Sequence, residues 1–265
     1  MSRSDRIDHE KALQEKFTWA RSVDFKDYNA VLGYYQTLAC REHARGSSLL
    51  DMPCGDGTLT AMMAPHFRRV VGVDASSIQL ATAKKQLPQT EFHHALIEDL
   101  ALDEQFDTVT MLNVLEHVSD PVAVLRKATR FLTDEGILIV HVPNSQAVNR
   151  KIAVLMGTLE SCGELSPFDI NVVGHRRSYD LDSLCGDIER SGLRVVATGG
   201  VFYKMLSTPQ MDWFLKNGLW AEGGFGWGRL GAEQRDWKAA FCRACYEYGK
   251  DHPEDCNIIY ACATR

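Results

Sequence analysis

Two groups of residues in this chain have the types and spacing to do chemistry. The first is a glycine turn, Leu49-Leu50-Asp51-Met52-Pro53-Cys54-Gly55-Asp56-Gly57-Thr58, with Asp74 seventeen residues beyond Gly57 at the end of the next apolar run. Glycine takes positive φ readily and lets a ligand touch main-chain atoms. A carboxylate at the tip of a second strand is placed to accept hydrogen bonds from both hydroxyls of a ribose. Together they predict a nucleoside-containing cofactor. A dinucleotide fingerprint asks for G-x-G-x-x-G, but Gly57 is followed by Thr58, Leu59 and Thr60. An NAD(P)- or flavin-dependent oxidoreductase is therefore the alternative and not the leading reading.

The second group centres on histidine, the natural proton acceptor near neutral pH. His117 follows an apolar run at 106–112, and His175 lies in Gly174-His175-Arg176-Arg177-Ser178-Tyr179 just before a helical pattern. Either could take the proton of a hydroxyl acceptor, which needs a base within hydrogen-bond reach, whereas an amine needs only to arrive neutral. His141, inside the apolar run 137–142, and His94, beside His93, read as structural. Arg176 and Arg177 could pair with a carboxylate or phosphate on an acceptor. Cys242-x-x-Cys245 with Cys256 and Cys262 invites a zinc reading, but the second pair lacks the C-x-x-C spacing and the four thiols fit burial better.

The elements that must position these groups are legible in the hydrophobic pattern. Residues 5–21 and 28–45 read as helices. Short apolar runs at 49–52, 70–73, 92–96, 106–112 and 137–142 alternate with helical patterns at 59–67, 77–86 and 121–132. That rhythm predicts βαβ units and a doubly wound α/β sheet covered on both faces. Beyond residue 143 the pattern gives a helix at 149–159, a loop at 161–173, a helix at 181–191 and a strand at 193–203 interrupted by Gly199 and Gly200. An aromatic, glycine-rich insertion at 204–231 contains Trp213, Trp220, Phe225 and Trp227. A helix at 232–249 and a strand at 257–263 follow. The reading is one domain over 1–265: a helical N-terminal lid (1–46), a cofactor-binding core (47–143) and acceptor-side insertions (144–180 and 204–231).

Composition excludes several partners. The 265 residues are 45% hydrophobic and 24% charged, with 29 Lys and Arg against 35 Asp and Glu. No basic stripe is present to neutralise phosphates, so nucleic acid and anionic membranes are not expected partners. No apolar run approaches the roughly 18 residues that span a bilayer. The segment 1–17 mixes charges without an apolar stretch and does not read as a secretory signal. Eight cysteines are then expected as reduced thiols in a cytoplasmic protein.

The motifs resemble those of the class I S-adenosylmethionine-dependent methyltransferases. Leu50 to Gly57 resembles that superfamily's first motif, and Val70-Val71-Gly72-Val73-Asp74-Ala75-Ser76 its second. Phe106-Asp107 leading to Asn113-Val114-Leu115-Glu116-His117-Val118 is similar to its fourth-strand region. The nearest flavour is the small-molecule group that includes ubiquinone-biosynthesis O-methyltransferases and natural-product enzymes. The match covers 49–143 well and 174–201 loosely. The resemblance implies a Rossmann-like, seven-stranded, mostly parallel sheet with an antiparallel last strand. It implies S-adenosylmethionine as cofactor, S-adenosylhomocysteine as product, and methyl transfer to oxygen or nitrogen of a small biosynthetic acceptor. It places Asp51, Gly55 and Gly57 around the methionine part, Asp74 on the ribose with Ala75 beside it, Ile97 and Glu98 flanking adenine, and the Asn113 carbonyl near the cofactor amino group. Leu96 stands where many relatives carry an Asp, and Pro53 where a glycine is more usual. Some relatives hold a divalent ion at positions matching Asn113, Glu116 and His117. Asn113 is a weaker ligand than a carboxylate, so a metal-dependent O-methyltransferase is an alternative and no metal is expected among the site residues.

Overall fold

The computed structural model describes residues 9–12, 27–220 and 236–265. Most of the helix expected over 5–21, together with Phe225 and Trp227, lies outside the described residues. Helix α1 (Tyr28–His43) starts where the Asp27 carboxylate accepts the Ala30 amide hydrogen at 2.8 Å, an N-cap that satisfies one otherwise orphaned donor. Strands and helices then alternate as β1 (Ser48–Asp51), α2 (Thr58–Met63), β2 (Arg69–Asp74), α3 (Ser77–Gln86), β3 (Glu91–His94), β4 (Phe106–Leu112), α4 (Pro121–Thr129) and β5 (Leu132–Pro143). The chain continues through α5 (Val148–Leu155), α6 (Leu181–Arg190), β6 (Arg194–Tyr203), α7 (Thr208–Asn217), α8 (Trp237–Asp251) and β7 (Cys256–Thr264).

The seven strands form one sheet in the order β3-β2-β1-β4-β5-β7-β6. Every pairing from β3 to β5 is parallel, and β7 runs antiparallel to both β5 and β6. This is the mostly parallel sheet with a reversed last strand that the resemblance implies. The chain leaves β1 on one side to make β2 and β3, then returns on the other side as β4. A crevice therefore opens at the carboxyl ends of β1 and β4, where α/β sheets bind ligands.

Residues one apart in a strand face opposite cores, because the strand period is two. Leu50, Leu138 and Val140 pack with Leu125 of α4 and Leu184 and Ile188 of α6. Leu49, Ile137 and Ile139 pack on the other face with Val31 and Tyr35 of α1, Met63 of α2 and Tyr246 of α8. Truncating a buried leucine in either layer to alanine costs about 2–5 kcal/mol. Strand ends held from both faces cannot drift, and they carry the first half of the site.

The elements beyond β5 differ from the sequence reading in three places. Strand β6 runs through Gly199 and Gly200 without interruption. A Cβ at Gly199 would lie 2.4 Å from Tyr260 Oη, and one at Gly200 2.6 Å from Cys256 Sγ and from Pro253 Cα, so the pair serves close approach by β7 and the turn before it and not a break. The segment read as a loop at 161–173 contains a π-helical turn, Asp169–Val173. The insertion at 204–231 contains α7, opened by a capping box in which Ser207 and Gln210 satisfy each other's amides.

Candidate active site

A cavity of about 880 Å³ opens along the carboxyl rim of the sheet, within the range that takes a cofactor or drug-sized ligand. Asp51, Gly55, Asp74, Ala75, Ile97, Glu98, Asn113, His117 and His175 all line it. Gly57 is not among the lining residues. Its φ is +83°, and a Cβ there would meet Ala83 at 2.9 Å, so it lets α2 pack against α3 and sets the turn from behind.

At the end of β2, Asp74 accepts the Gly55 amide hydrogen on Oδ2 and the Ser76 amide hydrogen on Oδ1, each at 2.8 Å. Burial raises its pKa, and those two amides pull it back down. Each oxygen keeps capacity for a further donor. Asp51 is buried, with its oxygens accepting from Thr60 Oγ1 at 2.6 Å and Thr110 Oγ1 at 2.8 Å. The Ala75 carbonyl accepts from His94 Nε2 at 2.9 Å. Leu96 joins Ile97 and Glu98 in the cavity wall, and burial raises the Glu98 pKa.

Asn113 follows β4 with φ at +56°, a left-handed conformation that asparagine tolerates better than most side chains. Its amide exchanges two hydrogen bonds with Gln36 of α1: Gln36 Nε2 donates to Asn113 Oδ1, and Asn113 Nδ2 donates to Gln36 Oε1, both at 3.3 Å. Gln36 was not singled out in the sequence. Its one signal is a polar residue among the apolar positions of α1, where it is 1% exposed. Gln36 also approaches Nδ1 of His141 at 3.4 Å. His141 is fully buried and stacks on Tyr260, the core histidine that its strand context predicts.

A second group in the cavity gathers around Glu116, His117 and His175. The two imidazoles meet edge to face with centroids 4.9 Å apart. His117 Nδ1 is 3.3 Å from the Gly174 carbonyl, which can only accept, so Nδ1 carries the proton and Nε2 is the acceptor nitrogen of the neutral ring. Nε2 lies 3.8 Å from Glu116 Oε1. Burial, reinforced by His175, pushes the His117 pKa down to about 4. Burial likewise lowers that of His175, against the pull of Asp169, whose Oδ1 is 3.9 Å from His175 Nδ1. Glu116 is 2% exposed, neither carboxyl oxygen has a hydrogen-bond partner among the described residues, and burial pushes its pKa up to about 8.

Arg177 fastens this group and does not reach for an acceptor: its guanidinium donates to the carbonyls of Leu115, Val118 and Ser119. Arg176 donates its amide to the Glu116 carbonyl and pairs its side chain with Glu10. Ligand atoms of Glu116, His117 and His175 all lie within 4.8 Å of one another. A buried carboxyl with no partner and two imidazoles kept neutral are donors that suit a divalent ion. Asn113, expected beside Glu116 and His117 in that alternative, has its amide paired with Gln36, and His175 stands as the third donor in its place. Cys242, Cys245, Cys256 and Cys262 are each pushed up to about 12 by burial and sit among core side chains as thiols.

A family model described as a methyltransferase domain matches residues 28–198. The ubiquinone biosynthesis O-methyltransferase of Pseudomonas syringae pv. tomato is 35% identical over 147 residues, covering 51% of this chain and 62% of that protein. The enzyme of the same name from Dinoroseobacter shibae is 30% identical over 190 residues, covering 70% of this chain and 75% of that protein. Among solved structures, the N-methyltransferase NodS from Bradyrhizobium japonicum WM9 in complex with S-adenosyl-l-homocysteine shares the fold. Its TM-score is 0.53 at 12% identity, over 98% of this chain and 96% of that one. This chain belongs to the methyltransferase-domain family, of the class I S-adenosylmethionine-dependent type. That membership overturns the nicotinamide or flavin alternative. The match to the Pseudomonas enzyme spans less than two thirds of that protein's length.

Proposed function

We propose that this chain transfers the methyl group of S-adenosylmethionine to an oxygen or nitrogen of a small biosynthetic acceptor. One observation carries the reading: a single cavity joins Asp74 and the glycine turn to the Glu116, His117 and His175 group. A lone pair of the acceptor forms the new bond to the methyl carbon as the carbon–sulfur bond breaks, and that electron pair goes to sulfur. Holding the two reactants in line supplies much of the acceleration. Asp74 binds the ribose. His117, neutral across the physiological range, takes the proton of a hydroxyl acceptor at Nε2, with His175 against its ring. Segments 144–180 and 204–231 supply the acceptor side, which the lining positions of Asn144, Asp169, His175 and Ser207 support. The cytoplasmic setting belongs to the same proposal and draws on eight cysteines that are all free thiols.

The test is calorimetric titration with S-adenosylhomocysteine beside NAD, followed by acceptor screening with labelled methyl donor. Binding of the first alone and label transfer to a small molecule support the reading; binding of NAD alone overturns it. The partnerless carboxyl of Glu116 favours a second reading, in which Glu116, His117 and His175 hold a divalent ion. Such an ion would bind an acceptor oxygen and lower its pKa. Methyl transfer lost on chelation and restored by magnesium selects that reading, and transfer indifferent to chelator selects the first.

A further inference from the structure

Among the described residues, three cations line the cavity: Arg150, Arg177 and Lys204. The two arginines are engaged in holding loops. Arg177 donates to three carbonyls of the β4–α4 connection, and Arg150 donates to the carbonyls of Cys162 and Glu164 and to Asp169. Lys204 is different. It is 5% exposed, its ammonium donates to Thr208 Oγ1 at 2.9 Å, and it sits 4.5 Å above the centroid of the Tyr28 ring. No carboxylate among the described residues lies within ion-pair distance of it. Among the described residues the charge that acts on it is Asp212, which accepts the Tyr28 amide hydrogen at 2.7 Å. Burying an ammonium without a counter-ion is costly, and burial pushes its pKa down to about 7.

The fold puts this residue on the acceptor side. Lys204 directly follows β6, which runs in the same direction as β5 because each is antiparallel to β7. Its ammonium is therefore on the same rim as the ends of β1 and β4, but at the far end of the strand order from β2 and Asp74. The first turn of α7 lines the same corner through Ser207, Thr208 and Pro209, adding the positive end of a helix. Resting on the methyltransferase reading, we propose that Lys204 receives an anionic group of the methyl acceptor, so that the acceptor is a small molecule carrying a carboxylate. The ends of β4 and β6 are three strand spacings apart, about 14 Å. Both side chains line the one cavity, so a single small molecule can place its carboxylate at Lys204 and its nucleophile at His117. A single ammonium with one neighbouring hydroxyl matches a singly charged carboxylate.

The test uses the full chain saturated with S-adenosylhomocysteine, titrated with benzoate and with benzamide, which share shape and differ in charge. Benzoate should bind at least about tenfold more tightly, the scale of a charge-assisted hydrogen bond. Lys204→Met, close in length and apolar, should bind S-adenosylhomocysteine as the wild type does and lose the preference for benzoate; Lys204→Arg should retain part of it. Equal affinity for the two probes, no benzoate binding, or a preference that survives in Lys204→Met overturns the assignment. Failure of the wild-type chain to bind S-adenosylhomocysteine would overturn the methyltransferase reading first and this one with it. Cofactor binding without a carboxylate preference overturns this one alone.

Discussion

Asp74 spends one lone pair of each carboxyl oxygen on the amides of Gly55 and Ser76, and what remains faces the cavity it lines. Asp74→Ala removes the proposed charged partner of the ribose and also releases the glycine turn. The affinity for S-adenosylhomocysteine should fall at least about tenfold by calorimetry, and unchanged affinity would move the ribose elsewhere. Asn113 offers a separate test, since its φ of +56° and its amide pairing with Gln36 make independent demands. Asn113→Gly keeps the backbone at ease but orphans a buried amide, costing about 1–3 kcal/mol. Asn113→Ala adds about 1 kcal/mol for a left-handed Cβ. Urea denaturation should therefore rank wild type above glycine and glycine above alanine. That Asp74, Gly55 and His117 share one cavity was legible because each sits in a short pattern at a strand end. Gln36 and the burial of Glu116 and Lys204 were not, because each is set by residues distant in the chain that only the fold brings near.

The alternation from β1 to β5 could be read from the sequence with boundaries shifted by a residue or a few, since strands buried on both faces are written as continuous apolar runs. Beyond β5 the pattern misled where packing overrides it: Gly199 and Gly200 look like a break until Tyr260 and Cys256 are seen to need the space. The start of β1 is fixed by a device of its own. Asp107 at the start of β4 accepts the amide hydrogens of Ser47 and Ser48 and the Ser48 hydroxyl on one oxygen, at 2.8, 3.1 and 2.9 Å. These donors hold its pKa below the ordinary 3.8, the Ser47 amide most strongly. A depressed carboxyl pKa contributes stability that is present above the unfolded value and lost as pH falls through the folded one. Asp107→Asn should destabilise the chain at pH 7, and the gap between variant and wild type in urea denaturation should close below pH 4. A gap that stays constant across that range would assign the effect to packing and not to charge.

Over the whole molecule, a ligand that binds only the folded chain adds to its stability by mass action. S-adenosylhomocysteine at a hundred times its dissociation constant should raise the unfolding free energy by about 2.7 kcal/mol. Asp74→Ala, binding about tenfold more weakly, should cut that gain to about 1.4 kcal/mol or less at the same ligand concentration. The balance of 29 Lys and Arg against 35 Asp and Glu makes salt a minor variable in this measurement, and a steep salt dependence would point to a polyanionic partner. The two halves of the cavity differ in how they are held: one rests on strand ends clamped between two cores, the other on the connections that follow β4, β5 and β6. On the proposed reading, substitutions in those connections reach the acceptor without loosening the sheet. A lineage of such chains can then explore new acceptors while its donor chemistry stays fixed, and selection can act on the two separately.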